Sequence, residues 1–259
     1  MKQPVKLKRL SKQLLVIVLS LAVLASTLML QTFTTLADGV ATGSWEGEEE
    51  AFAEGDGSAG NPYRIANAKQ LAMLGKYVKD NNTAYNAADK HYILTSDISL
   101  NDTTDMGDTP WYERTDTNIK AWTYGQSQTN SFKGTFDGDG YVIRGLYMNG
   151  ERFGGLFGLL DGNAVIKNLG IESSYILATN QAAAFASKVG GNVTFRNCYA
   201  DSSVILSSGD VCGAFFGQAY CNSISLTDCY SAVDVLSSTS SSTTGCYCTL
   251  FYPLKTPLY

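Results

Sequence analysis

The chain predicts an all-β solenoid of stacked parallel strands, entered through an N-terminal capping helix, and three observations carry that prediction. First, one segment reads three times over. Gly155-Leu156-Phe157-Gly158 with Ile166-Lys167-Asn168-Leu169-Gly170 returns as Ala184-Phe185-Ala186-Ser187 with Phe195-Arg196-Asn197-Cys198-Tyr199. It returns again as Ala214-Phe215-Phe216-Gly217 with Leu226-Thr227-Asp228-Cys229-Tyr230. Gly155, Ala184 and Ala214 lie 29 and 30 residues apart, and Asn168, Asn197 and Asp228 lie 29 and 31 apart. A period of this size with strand-like content is the signature of units that bury their apolar sides against one another. Second, the apolar pattern alternates with a period of two beyond residue 90. Third, helical spacing occurs just once in the chain after residue 37, immediately before those strands.

The elements follow in order. Residues 1–37 carry Lys2, Lys6, Lys8, Arg9 and Lys12, then an uncharged apolar stretch from Leu14 to Leu30, then Thr35-Leu36-Ala37. This is the pattern of a cleaved secretory signal, the alternative being an uncleaved membrane anchor. Residues 38–60, rich in Gly, Ala, Ser and Glu, read as a solvated linker. Residues 61–150 read as an N-terminal cap and first rungs. Within them Asn67 is placed as an N-cap and Gln70 at the capping-box position, with Leu71, Leu74, Tyr77 and Val78 on one helix face. Strands are expected at 92–94, 97–100, 132–136 and 141–146, with Asp137-Gly138-Asp139-Gly140 as a turn. Residues 101–130 read as a long polar insertion. Repeats fill 151–242, each copy forming one rung of three short strands. Ile166, Phe195 and Leu226 point inward, Lys167, Arg196 and Thr227 outward, and Ile176, Ile205 and Val235 supply a further apolar position. After Thr244-Gly245 the pattern stops, so 243–259 reads as an incomplete repeat or truncated tail.

Without the leader, 14 basic and 24 acidic residues remain. That balance argues against nucleic acid as a partner and leaves membrane contact to the leader alone, if it stays uncleaved. Among six cysteines, Cys198 and Cys229 occupy one repeat position. Stacked side chains point in parallel, whereas a disulfide needs a dihedral near 90°, so small apolar thiols filling the core are expected. Cys246-x-Cys248 has too short a spacing for a zinc site.

No catalytic constellation emerges. His91 is the only histidine, which removes a His-Glu-x-x-His zinc site and leaves no triad with a nucleophile elbow. Asp137 and Asp139 are the one carboxylate pair to weigh as acid and base, but Asp-Gly-Asp-Gly is turn chemistry. Asp97, Asp102, Asp105 and Asp108 crowd one loop and would suit Ca²⁺, against the commoner outcome that loop acids are merely solvated. No other cofactor is expected. Asn168, Asn197 and Asp228 are expected to form a structural turn ladder. Trp111, Tyr112, Trp122 and Tyr124 fall in the insertion. As exposed rings they would stack on sugars or proteins, and otherwise they pack the loop onto the solenoid. Tyr199 and Tyr230 are expected to stack outward.

The Gly-Leu-Phe-Gly of 155–158, the Asn-Leu-Gly of 168–170 and the Asn-Cys-Tyr of 197–199 resemble the GLUG repeat of bacterial cell-surface proteins. Gly60-Asn61-Pro62-Tyr63-Arg64-Ile65, Gln70-Leu71, Tyr92-Ile93-Leu94-Thr95-Ser96-Asp97-Ile98 and Gly134 to Gly140 resemble the segment that precedes such repeats. The resemblance spans about residues 55–245, and Ala184 to Ser187 depart from it. It implies a right-handed parallel β-helix, secreted or held at the cell surface, acting without catalysis as a stalk or as an adhesive module for host protein or glycan. Two alternatives accompany it: a carbohydrate-active β-helix or a fragment of one, and the non-catalytic region of a larger surface peptidase.

Overall fold

A computed structural model of the chain describes residues 45–237, apart from 116–117, 127–128 and 210. The expected leader, the 243–259 tail and Cys246 and Cys248 lie outside the described residues. The described part is an all-β fold of parallel sheets with one α-helix. The strands are β1 (Tyr63–Ile65), β2 (His91–Leu94), β3 (Ile98–Ser99), β4 (Thr135–Asp137), β5 (Val142–Arg144), β6 (Tyr147–Gly154), β7 (Phe157–Leu160) and β8 (Val165–Lys167). They continue as β9 (Gly170–Glu172), β10 (Tyr175–Ala183), β11 (Ala186–Arg196), β12 (Tyr199–Ser207), β13 (Val211–Gly213), β14 (Phe216–Thr227) and β15 (Tyr230–Ser237). The helix α1 spans Ala68–Lys79.

The chain passes back and forth between two sheets. The first contains β1, β2, β4, β7, β8, β11 and β14, and the second contains β3, β5, β6, β9, β10, β12, β13 and β15. Every strand pairing is parallel and joins residues one repeat apart. In the first sheet, Tyr63, Tyr92, Phe136, Ile166, Phe195 and Leu226 stand in one register column. Its steps are 29, 44, 30, 29 and 31 residues. The repeat therefore begins before the three copies that the sequence displays, and the 44-residue step is one period lengthened by the insertion. In the second sheet Ile98, Ile143, Ile171 and Ala200 form one inward column, and Met148, Ile176, Ile205 and Val235 another.

These columns meet in a single core. Phe136, Ile166, Phe195, Ile143, Ile171, Ile176 and Ile205 are all fully buried. Each such side chain contributes about 1.5–3 kcal/mol by leaving water. Aromatic rings repeat the stacking, with Phe185 and Phe215 parallel at 4.9 Å and Phe195 edge-on to both. Leu226 and Val235, on the last described strands, are half-buried.

Two expectations need correction. A copy is not three short strands, because β10 and β11 run unbroken through bends. The bends appear as register slips at Ala178 and between Gly191 and Asn192. Nor is the segment before the first strand a free linker. Trp45 is buried against Trp122 at 5.6 Å, the Glu50 amide donates to the Lys69 carbonyl, and Glu49 accepts from the Tyr124 hydroxyl at 2.5 Å. Phe52 packs against Tyr63, Tyr77, Tyr85 and Tyr92, with Tyr77 and Tyr85 stacked at 4.1 Å. An apolar ring that can reach the first rung has no reason to stay in water, whatever the polarity of its neighbours.

The helix starts as its sequence requires. The Asn67 side chain accepts from the Gln70 amide at 2.9 Å. Gln70 reaches back to the amide of Ala66, one residue before the cap, at 2.8 Å. Leu71, Leu74 and Val78 are buried and line one internal gap with Trp122, Tyr124, Leu156 and Phe157. Thus α1 and the insertion together lie against the first Gly-Leu-Phe-Gly copy.

Candidate binding face

At the bend after β8, β11 and β14, the chain must turn tightly, and Asn168, Asn197 and Asp228 take the left-handed conformation there (φ 52°, 50° and 54°). Asn and Asp tolerate that region better than other side chains. Their side chains then meet along the stack. Asn197 Nδ2 donates to Asn168 Oδ1 at 3.0 Å, and Asn168 Nδ2 donates to Asp137 Oδ1 at 2.9 Å. The turn ladder thus joins Asn197 to Asn168 and continues to Asp137, whereas Asp228, expected as its third member, shares the backbone conformation without a side-chain bond to Asn197.

Asp137 is held on several sides. Lys167 Nζ lies 2.8 Å from its Oδ2, and the Asp139 amide donates to its Oδ1 at 3.0 Å. Burial raises its pKa, but the bonds from Lys167, Asn168 and the Asp139 amide outweigh it and hold the carboxyl below the ordinary range. A general acid must carry a proton near neutral pH. A carboxylate stabilised in its charged form by three donors is arranged against that task.

Further ladders escaped the sequence reading. Asn192 Nδ2 donates to Asn163 Oδ1 at 3.2 Å, and Ser223 Oγ donates to Asn192 Oδ1 at 3.0 Å. Ser203 Oγ accepts from the Ser174 amide at 3.1 Å, and Ser174 Oγ from the Leu146 amide at 3.2 Å. The signal was available, since Asn163, Asn192 and Ser223 are spaced 29 and 31 apart like the recognised positions.

The outer face of the second sheet carries a set of stacked aromatic side chains. Tyr199 and Tyr230 stack outward at 4.9 Å with planes 1° apart, and the Tyr199 hydroxyl donates to Glu172 at 2.5 Å. Glu172 also takes Arg144 at 2.8 Å, and Arg144 takes Asp97 at 2.9 Å. Gly170 makes room for this arrangement, because a Cβ there would lie 2.4 Å from the Tyr199 ring. Further along the same face, Tyr147 and Tyr175 stack at 5.7 Å, and Tyr112 from the insertion lies on Tyr175 at 4.3 Å.

The four insertion rings part company. Trp122 is 2% exposed, and its indole N–H donates to the Leu156 carbonyl at 3.0 Å. Tyr124 and Trp111 are buried as well, Trp111 edge-on to Tyr147. These three rings serve packing, which corrects the reading of them as exposed ligand contacts. A large apolar area is worth more buried than displayed, and both Trp122 and Tyr124 find a partner for their polar atom. Tyr112 alone is half-exposed on the outer face.

Three of the four aspartates considered for calcium are spent on loop structure, and the fourth, Asp108, is exposed. Asp97 pairs with Arg144 and accepts from the Val142 amide at 3.1 Å. Asp102 pairs with Arg114 at 3.3 Å, and Asp105 accepts from the Trp111 amide at 2.8 Å. Hydrogen bonds from Thr104, its hydroxyl first and then its amide, lead in lowering the Asp102 pKa. Among the described residues no three His, Cys, Asp or Glu side chains converge to hold a metal ion.

Cys198 and Cys229 sit in neighbouring turns, between β11 and β12 and between β14 and β15, as free, buried thiols. Each Sγ lies 3.3 Å from the carbonyl two residues before it, so both side chains point the same way. The hydrogen bond to Cys229, with burial, pushes the inner Cys198 up, while the same bond brings the outer Cys229 down to about 7. Cys212 is a further buried cysteine, and Cys221 a half-buried one.

No family model matches the chain. It is 29% identical over 149 residues to a protein of Evansella cellulosilytica named as a Gly-rich membrane protein, covering 57% of this chain and 15% of that one. It is 30% identical over 144 residues to Halomucin of Haloquadratum walsbyi, covering 54% of this chain and 1% of that protein. The chain thus spans a small part of the curated relatives that it matches. Among solved structures, one proposed to be an immunoglobulin A1 protease from Bacteroides ovatus is similar over 78% of this chain and 86% of that one, at 13% identity and a TM-score of 0.41.

Proposed function

We propose that the chain is a right-handed parallel β-helix of the GLUG-repeat kind, exported and displayed at the cell surface, where it binds without catalysing. The observation that carries this reading is the use of the polar repeat side chains. Asp137, Asn168 and Asn197 are engaged with one another, and Arg144, Glu172 and Tyr199 likewise. Groups so engaged hold rungs in register and are not free to move protons. What the outer face offers instead is half-exposed Tyr112 and exposed Tyr230, rings suited to contact with a host glycan or protein. The match to a protein named as a membrane protein supports the surface location.

The test is a glycan and host-protein binding array with the purified chain, run beside a lyase and hydrolase screen on uronate and mucin polysaccharides. Binding weakened by Tyr112→Ala, with no turnover, is the expected result. Turnover abolished by Asp137→Asn would overturn it in favour of a carbohydrate-active protein.

A further inference from the structure

The insertion lies across part of the outer face of the second sheet. Ile176, Ile205 and Val235 point toward the core, so their neighbours Tyr175, Val204 and Asp234 point outward. These three are register partners on β10, β12 and β15, and Tyr147 of β6 opens the same column. Trp111 sits edge-on to Tyr147, and Tyr112 lies flat on Tyr175 at 4.3 Å. Beyond these rings, Val204 and Leu206 of β12 are half-buried and Asp234 is exposed. No Lys or Arg stands on β10, β12 or β15. On the insertion, Glu113 follows Tyr112 and is exposed, and neither Glu113 nor Asp234 forms an ion pair with a described residue. The next residue, Arg114, is held by Asp102 at 3.3 Å and by the Thr104 carbonyl at 2.8 Å. Burial, followed by the charges of Glu113, Asp105 and Asp234, raises the Tyr112 pKa. Acids from two elements far apart in sequence thus act on one stacked ring beside an apolar strip.

We propose that this face takes an arginine side chain from a basic peptide segment of a partner protein. The guanidinium stacks on Tyr112 and pairs with Glu113 and Asp234, and the methylene stem lies over Val204 and Leu206. Each part of the face matches a part of that side chain. A guanidinium is planar and weakly hydrated, lies flat on aromatic rings and meets carboxylates through two parallel bonds. Its three-carbon stem covers apolar surface while the charged head stays at the rim. A neutral sugar could use the rings but leaves both carboxylates unanswered, and an acidic sugar is repelled by them. A lysine brings the charge without the plane. The inference rests on the surface-binding reading above and names the ligand class for its tyrosine-bearing face.

Fluorescence anisotropy of a labelled peptide of alternating Arg and Gly, titrated with the full chain, tests it. Matched peptides carrying lysine, or the neutral isostere citrulline, replace the arginine in parallel titrations. The arginine peptide is expected to bind most tightly and the citrulline peptide least. Glu113→Gln/Asp234→Asn should weaken the arginine peptide about tenfold, and Tyr112→Leu about two- to fivefold. Asp89→Asn, which removes an exposed acid from the loop before β2, should leave binding unchanged. All these substitutions are at the surface, and unaltered urea midpoints show that each variant is folded. Arginine and citrulline peptides bound alike, or a loss in Asp89→Asn equal to that in the double variant, overturns the proposal. Lysine bound as tightly as arginine, or a glucosamine oligomer bound more tightly than either, overturns the choice of a guanidinium. A glycan or protein captured on the array while the arginine peptide stays free overturns this inference alone and leaves the surface-binding reading standing.

Discussion

The Asn197 carboxamide donates to the Asn168 oxygen across one strand spacing at 3.0 Å, while both residues hold the left-handed backbone conformation. One side chain thus answers two demands of the turn. Replacing Asn197 by Ala removes the bond and leaves a β-carbon in a disfavoured region, at a combined cost of about 2 kcal/mol. Asn197→Gly relieves the second problem and is expected to be the milder change. Urea unfolding of the two variants measures the difference, and equal losses would show that backbone conformation contributes nothing.

Asp137 makes stability depend on acid. Its folded-state pKa lies below the ordinary 3.8, so its contribution is complete above that value and is lost as pH falls through the depressed one. The stability gap between wild type and Asp137→Asn should hold steady from about pH 7 to about pH 5 and shrink below about pH 4. Denaturant midpoints across that range provide the check.

Gly125 lets the insertion touch the first repeat. A β-carbon there would lie 1.6 Å from the Gly155 carbonyl oxygen, which is backbone and cannot swing aside. Gly125→Ala is expected to cost about 3 kcal/mol by overpacking. Because Trp122 flanks the same contact, its fluorescence should shift to the red as the loop lifts away. An unshifted spectrum at full stability would count against the close contact.

Cys229 should be the more reactive of the stacked pair. Its thiolate forms near pH 7 because Cys198 donates to it, whereas Cys198 itself is pushed up. Alkylation of the folded protein, mapped by mass spectrometry, should mark Cys229 before Cys198, with a rate rising through about pH 7. Cys198→Ala removes the donor and should move that rise to higher pH. Equal labelling of the two would contradict that ordering.

Much of the fold was legible because the repeat is apolar and regular where Ile166, Phe195 and Leu226 stand. The earlier turns were read as first rungs, but their common register with the repeats was hidden for two physical reasons. Tyr63, Tyr92 and Phe136 fill the same column without a glycine-bounded tetrapeptide, and the insertion stretches one step to 44 residues. Spacing alone cannot reveal a unit whose length has changed. The turn ladder through Asn168 and Asn197 followed from position, but its continuation to Asp137 did not, because Gly138 occupies the equivalent place and the neighbouring carboxylate reaches across. The aromatic residues of the insertion were the least legible. Composition marks Trp111, Tyr112, Trp122 and Tyr124 alike, and burial is decided by contacts with Trp45, Leu156 and Tyr175, which are distant in sequence. The same long reach brought Phe52 and Trp45 onto a fold that their polar surroundings concealed.

The register column from Tyr63 to Leu226 has a mechanical consequence. Hydrogen bonds between successive strands run along the stack, so tension applied at one end of the chain loads the last turn before any other. Turns yield singly, as teeth of a zipper do, and those beneath stay shut. Each 29–31 residue step then releases about 100 Å of extended chain. A stack of this construction gives way in small, countable lengths under flow or pull, and acts as an elastic reserve that refolds from the intact turns once the load is gone.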